Sequence, residues 1–319
     1  MALCKSIEKT ETLLEKGGTK MTQHNEIIKC AEKYQLHIQP QTIALNESGL
    51  DFQVAFGEDE HGVEWVLRLP RRPDVYKRTK SEKQTVDFLQ KNVSFEVPKW
   101  KIHEQDLIAY PKLTGQPAAT IDPELQDYVW EIEHKPVPEN FINTLAETLV
   151  DLHNIPEENI SAQHIKIKNI QEVKDDFQRR MNKVKETYGV ADDLWNRWQR
   201  WLENDELWPR HATMIHGDLH PGHIMVDNQA NVTGLIDWTE AIHSDPSMDF
   251  MGHHRVFGDE GLEQLITAYG KAGGETWPRM KEHIIELNAV FPMFIAEFAM
   301  ESGEAAYEKM ALKELGMEA

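Results

Sequence analysis

The chain has 319 residues, 40% hydrophobic and 28% charged, enough for two packed lobes and without the long uncharged apolar run that crosses a bilayer. Its 34 Lys and Arg against 54 Asp and Glu give a formal charge of −20, which repels nucleic acid and anionic membranes and suits a cationic partner, or simply solubility. Two cysteines, Cys4 and Cys30, supply neither a disulfide framework nor a thiolate metal site, and suit a reducing cytoplasm.

Residues 1–20 lack an apolar core and a small-residue cleavage site, so they read as an N-terminal extension rather than a signal peptide, with Met21 as an alternative start. From Thr22 to Tyr34, Ile27, Ile28, Ala31 and Tyr34 recur at helical spacing. Strand-like runs follow at Thr42–Leu45, Phe52–Phe56 and Glu64–Leu69, separated by turn-forming clusters. Ser81–Leu89 reads as a helix, then Val97–Ile102 and Leu107–Tyr110 as two more strands. The sum is a five-stranded antiparallel sheet with one inserted helix over residues 21–110. Pro111 to Pro117 interrupts the pattern as a hinge, and residues 118–319 form a second lobe. That lobe is mainly helical, with helices expected at Phe141–His153, Ile170–Tyr188, Asp193–Leu202, Leu262–Ala272 and Met280–Glu301. Trp195, Trp198 and Trp201 share one helical face, more often core than a ligand stripe.

The most polar stretch between apolar runs is His216-Gly217-Asp218-Leu219-His220-Pro221-Gly222-His223, followed a strand later by Leu235-Ile236-Asp237-Trp238. Apolar flanks with glycine and proline between them place this cluster on a turn held by buried strands, where catalytic groups are commonly presented. Phosphoryl transfer needs a carboxylate beside the acceptor hydroxyl and a metal held against the nucleotide phosphates. In this spacing Asp218 serves as the base, and His223 and Asp237 as magnesium ligands. Imidazole suits softer metals than magnesium, so a zinc or binuclear hydrolase using His216, Asp218, His220 and His223, with His243, His253 and His254 downstream, is the rival chemistry. Asp245 and Asp249 are expected to brace the loop or cap the next helix.

HGDLHPGHIM followed by LIDW resembles the catalytic and metal-binding segments of the aminoglycoside-kinase-like families. His223 in place of the usual asparagine, together with WVLRLPRRP, AYPKL and AEFA, resembles the macrolide 2'-phosphotransferases within that group, over about residues 43–303. The resemblance implies an α+β, two-lobe, protein-kinase-like fold and an antibiotic-inactivating enzyme. It would transfer the γ-phosphoryl of a nucleoside triphosphate, GTP in preference to ATP, to the desosamine 2'-hydroxyl of a macrolide, with Mg²⁺. It also places His220 beside the transferring phosphate, and Arg68, where kinases carry lysine, against the phosphates or Glu82. Tyr110, Pro111 and Leu113 would meet the nucleotide base over an apolar floor of Met225 and Ile236. Ser48 and Gly49, in a turn without the full glycine-rich pattern, are the remaining phosphate contacts.

For the acceptor, Phe291, Phe294 and Phe298 recur along one helix, and Glu297 and Glu301 share a face. Periodicity alone favours core phenylalanines and solvated glutamates; the resemblance makes Phe294, Glu297, Phe298 and Glu301 the macrolide site. The expected partners are a macrolide and a nucleotide, not nucleic acid or membrane, in a cytoplasmic monomer. An aminoglycoside or other hydroxy-amine acceptor, and a non-catalytic nucleotide-binding relative, are the other readings.

Overall fold

The computed structural model describes residues 24–46, 51–122, 127–161 and 165–317. The extension at residues 1–20 and the turn carrying Ser48 and Gly49 lie outside them. The chain forms two compact units, residues 1–138 with 221–239, and residues 139–220 with 240–319. The expected hinge at 111–117 lies inside the first unit, because Gln116 and Pro117 pair there with Val226 and Met225.

The first unit begins with helix α1 (24–32), whose Ile27 and Ala31 sit on one face of an antiparallel sheet. Its strands are β1 (Ala44–Asn46), β2 (Phe52–Glu58), β3 (Glu64–Pro70), β4 (Ile102–His103) and β5 (Ile108–Pro111), in the order β1-β2-β3-β5-β4. The β2–β3 turn is organised by Asp59, whose carboxylate accepts the N–H of His61 (2.8 Å), Val63 (3.0 Å) and the Trp65 indole (2.9 Å). Those donors favour the ionised carboxylate and hold Asp59 below the ordinary aspartate range. Alternation along β3 then divides labour: Leu67 joins the apolar cluster under α1, and Arg68 points to the other face.

That face receives α2 (Pro73–Leu89), which starts eight residues before the helix expected at Ser81. Its first turns carry the charged Asp74, Lys77, Arg78 and Lys80 around Val75, Tyr76 and Thr79, so apolar periodicity does not register them. The signals present are Pro73 at the first position and Asp74 in the first turn. β4 is shorter than expected; upstream of it Glu96 bridges to Gly234 instead, and Pro98 has no N–H to give a ladder. Beyond β5, β6 (Gln116–Pro117) pairs with β10 (Ile224–Val226), itself paired with β11 (Val232–Leu235), and β7 (Ala119–Asp122) pairs with β8 (Asp127–Trp130).

The second unit contains α3 (Glu139–His153), α4 (Glu157–Ser161), α5 (Ile170–Tyr188), α6 (Asp192–Glu203), and strands β9 (Thr213–Ile215) and β12 (Ile242–Ser244), which pair. α5 begins where periodicity predicts because Asn169 and Glu172 form a reciprocal cap, each side chain accepting the other's backbone N–H. Two of the three tryptophans of α6 are structural: Trp198 and Trp201 are buried and donate to the Ala289 carbonyl and His283 Nδ1, while Trp195 is half-buried. α7 (Met248–Lys271) is longer than its expected C-terminal half and is kinked at Gly258 (φ +67°). The expected single helix at 280–301 is two, α8 (Met280–Ala289) and α9 (Phe291–Ser302), with Pro292 in the first turn of α9. Together they are long and apolar enough to cross a bilayer, yet the ladder breaks at Val290 and Met293, Ile295, Ala296 and Ala299 are buried. α10 (Ala305–Glu314) closes the unit, Tyr307 packing edge-on against Phe298.

Candidate active site

In the second unit, β9 delivers the chain into His216, Gly217 and Asp218. The backbone N–H groups of His216 and Gly217 donate to Asp249 Oδ2 (2.9 Å) and Oδ1 (2.8 Å), so one carboxylate at the start of α7 holds the loop in a fork. His153 Nε2 lies 3.1 Å from Asp249 Oδ2, and His153 Nδ1 lies 2.9 Å from the Tyr269 hydroxyl. Burial, then the charge of Asp249, raises the Tyr269 pKa, so the phenol stays protonated and donates. His153 therefore bridges the Tyr269 hydroxyl and the Asp249 carboxylate through its two ring nitrogens. Asp249 braces the loop as expected; His153 and Tyr269, distant in sequence, were not foreseen.

Two glycines make this seating possible. At Gly217 (φ +85°) an added Cβ would lie 2.5 Å from the Glu240 carbonyl oxygen, and at Gly252 on α7 it would lie 2.1 Å from that of Leu219. The loop backbone thus rests directly on α7. His216 is fully buried and its Nδ1 accepts the Asp218 N–H at 3.3 Å, a supporting role. Asp218 and His220 are half-buried.

The first unit supplies a second cluster. His223 ends the short turn Pro221–His223, and the Ile236 N–H donates to its carbonyl (3.0 Å), continuing the β10–β11 ladder by one residue. Asp237 follows with φ +64°, a conformation aspartate tolerates at a cost on the order of 1 kcal/mol. Its Oδ1 accepts from the Thr239 hydroxyl (2.8 Å), and its Oδ2 lies 3.7 Å from His223 Nε2. That separation is too long for a hydrogen bond. It leaves an imidazole nitrogen and a carboxylate oxygen side by side, two groups of the kind that could serve as metal donors. Asp237 is the hard oxygen donor magnesium prefers; the imidazole is the softer partner.

Behind it, Arg68 Nη1 meets Glu82 Oε1 at 2.7 Å, with side chains only 11% and 4% exposed. The guanidinium also lies 4.2 Å from the Phe52 ring centre. Burial works against its charge, but Glu82, Tyr110 and Asp237 outweigh it and raise the Arg68 pKa. Burial lifts the Glu82 carboxyl above its ordinary range while Arg68 and the Thr239 hydroxyl oppose the rise. A guanidinium does not give up its proton here, so Arg68 stays cationic beside Glu82. Arg72 and Arg78 are both engaged by Asp51, at 2.7 and 3.1 Å. Tyr110 is buried, and burial pushes its phenol up to about 12. Leu113 and Met225 converge on Gly234, which lies opposite Met225 and whose added Cβ would come within 2.9 Å of Leu113. Ile236 is half-buried two residues after Gly234, and Pro111 ends β5.

The acceptor candidates lie on α9 in the second unit. Phe291, Phe294, Glu297 and Phe298 are half-exposed along one side, and Glu301 is exposed. Glu297 is not a lone carboxylate: Arg180 on α5 clasps it from Nε to Oε1 (2.8 Å) and from Nη2 to Oε2 (2.5 Å). The downstream histidines of the rival hydrolase reading have other partners. His253 contacts the Gly261 carbonyl, His254 contacts Asp259, and His243 lies 3.8 Å from Glu157.

The chain matches the model of a phosphotransferase enzyme family, APH, over residues 42–283. It is 41% identical over 292 residues to the uncharacterized protein YcbJ of Bacillus subtilis (strain 168), across 92% of this chain and 95% of that one. The chain belongs to the phosphotransferase enzyme family. Among solved structures it superposes on macrolide 2'-phosphotransferase MphH from Brachybacterium faecium, apoenzyme, with a TM-score of 0.85 and 31% identity, covering 92% of this chain and 99% of that one. Macrolide 2'-phosphotransferase type I gives a TM-score of 0.83 and 31% identity, covering 97% and 99%. The two-lobe α+β architecture and the resemblance read from HGDLHPGHIM are thereby shown, and the protein is a phosphotransferase.

Proposed function

We propose that this phosphotransferase moves the γ-phosphoryl group of GTP, with ATP as a poorer donor, to the desosamine 2'-hydroxyl of a macrolide antibiotic and so inactivates it. The observation that carries the reading is the side of α9. Half-exposed Phe291 and Phe294 over buried Met293 and Ile295 offer apolar area suited to a large, mostly apolar ring.

In this reading Asp218 accepts the proton of the acceptor hydroxyl as its oxygen bonds to phosphorus and the nucleoside diphosphate leaves. The Asp249 fork sets Asp218 by holding the two N–H groups before it. His220 lies beside the transferring phosphate. His223 and Asp237 would hold magnesium, which supplies positive charge against the phosphate oxygens when bound. Arg68, kept in place by Glu82, orients the phosphates with Ser48 and Gly49, while Tyr110, Pro111 and Leu113 meet the base above Met225 and Ile236. Phe294, Glu297, Phe298 and Glu301 receive the macrolide. The protein acts as a cytoplasmic monomer.

The test is nucleotide consumption with a panel of macrolides and aminoglycosides, with and without magnesium. Macrolide-stimulated, magnesium-dependent consumption of GTP is expected. Stimulation by aminoglycosides alone would reassign the acceptor, and phosphate release restored by zinc without nucleotide dependence would replace the kinase with a hydrolase.

A further inference from the structure

A macrolide and an aminoglycoside differ most in charge: one amine on a large apolar body against several amines on a polar one. The −20 formal charge of the chain suits the polycation, so something local must oppose it if the acceptor is the apolar monocation. The second unit contains such a device.

The relevant surface can be traced from the catalytic loop. Gly252 on α7 seats Leu219 of the loop. One turn further, the Arg255 guanidinium lies 3.3 Å from the centre of the Phe291 ring at the start of α9. Phe291 lies 6.4 Å from Phe294, and Phe294 meets Phe177 of α5 edge-on at 6.3 Å. Glu297 follows one turn later, on the same half-exposed side.

On this surface Glu297 is the carboxylate set beside the phenylalanine rings, one turn before the exposed Glu301, and Arg180 occupies it bidentately. The Arg180 guanidinium also lies 4.9 Å from the Phe294 ring centre and 5.5 Å from that of Phe177. It therefore lies among aromatic rings while its fork cancels the carboxylate. Asp176, 4.0 Å from Arg180, is engaged by Lys168 at 2.7 Å and by Arg179, so it leaves no uncompensated negative charge. The pair is about one quarter exposed on each side (26% and 27%), reachable by a ligand but not fully solvated.

We propose that Arg180 is a specificity-determining residue, which neutralises Glu297 and keeps this wall apolar, admitting a large apolar acceptor with one amine and disfavouring polycationic ones. The inference rests on the acceptor reading given above. It assigns Arg180 no part in the transfer step.

The test is binding, measured by calorimetry on the full chain without nucleotide, with kanamycin as the polycation and erythromycin as the monocation. Arg180→Met keeps apolar bulk and removes the charge. It is expected to tighten kanamycin on the order of 10-fold, more at low salt than at high, without tightening erythromycin to match. Arg180→Lys restores a cation and is expected to return the kanamycin affinity toward wild type. The double variant Arg180→Met with Glu297→Gln should abolish the gain. Unchanged kanamycin binding in Arg180→Met, or equal shifts for both ligands, would overturn the proposal, since a merely structural role moves both together. If wild type neither binds nor phosphorylates erythromycin, the macrolide reading fails by itself, while the kanamycin ratio still decides the role of Arg180.

Discussion

The two units each hold an arginine–glutamate pair, and the pairs behave differently. Arg68 and Glu82 join β3 to α2 through one 2.7 Å contact at 11% and 4% exposure, in an electrostatic set with Tyr110 and Asp237. Arg180 and Glu297 join α5 to α9 through a two-contact fork at 26% and 27% exposure, with phenylalanine rings beside it. Better hydrogen-bond geometry does not make the second pair the stronger element of stability. A buried charge that loses its partner is left in a poor solvent, whereas a partly exposed one recovers water. The first pair is therefore a fixture of the first unit, and the second is a surface fork partly open to water.

The sharpest way to break this contrast is Glu82→Ala. Stranding Arg68 is expected to cost about 3–5 kcal/mol, read as a large fall in the denaturant midpoint. A loss below about 1 kcal/mol would mean that water reaches Arg68 and the pairs are equivalent. A second buried group extends the comparison to pH. Burial lowers the His253 pKa to about 4, against an unfolded value near 6.5, so the folded state binds fewer protons between those values. Its stabilising effect is present above pH 6.5 and is lost as pH falls through about 4. That amounts to roughly 3 kcal/mol by linkage, and His253→Phe should flatten the acid limb of the pH–stability curve. An unaltered acid limb would remove His253 from the account. The smallest effect is expected from Glu297→Gln, within about 1 kcal/mol of wild type in stability. Its consequence should appear instead as a raised KM for the acceptor, with nucleotide affinity unchanged.

The sequence disclosed what is local. His223 and Asp237 lie within one strand–strand segment of the first unit, so their juxtaposition follows from spacing and apolar flanks. The same holds for the β2–β3 hairpin and for α5, whose cap is written in Asn169 and Glu172. What stayed hidden depends on distance or on silent patterning. The polar first half of α2 has almost no apolar stripe, and Gly258 and Pro292 are single residues that bend or split helices periodicity joins or truncates. His153 and Asp249 are 96 residues apart and Arg180 and Glu297 are 117 apart, so no periodicity could pair them. Glu297 thus read as a free carboxylate, because its partner lies on another helix.

The central claim, that the loop seated on α7 presents Asp218 to an acceptor hydroxyl, is tested most directly by Asp218→Asn in macrolide-dependent GTP turnover. The side chain is half-buried and isosteric with asparagine, so the melting temperature should hold. Turnover is expected to fall on the order of 10³-fold with little change in nucleotide binding. Full phosphotransfer by the variant would contradict the assignment.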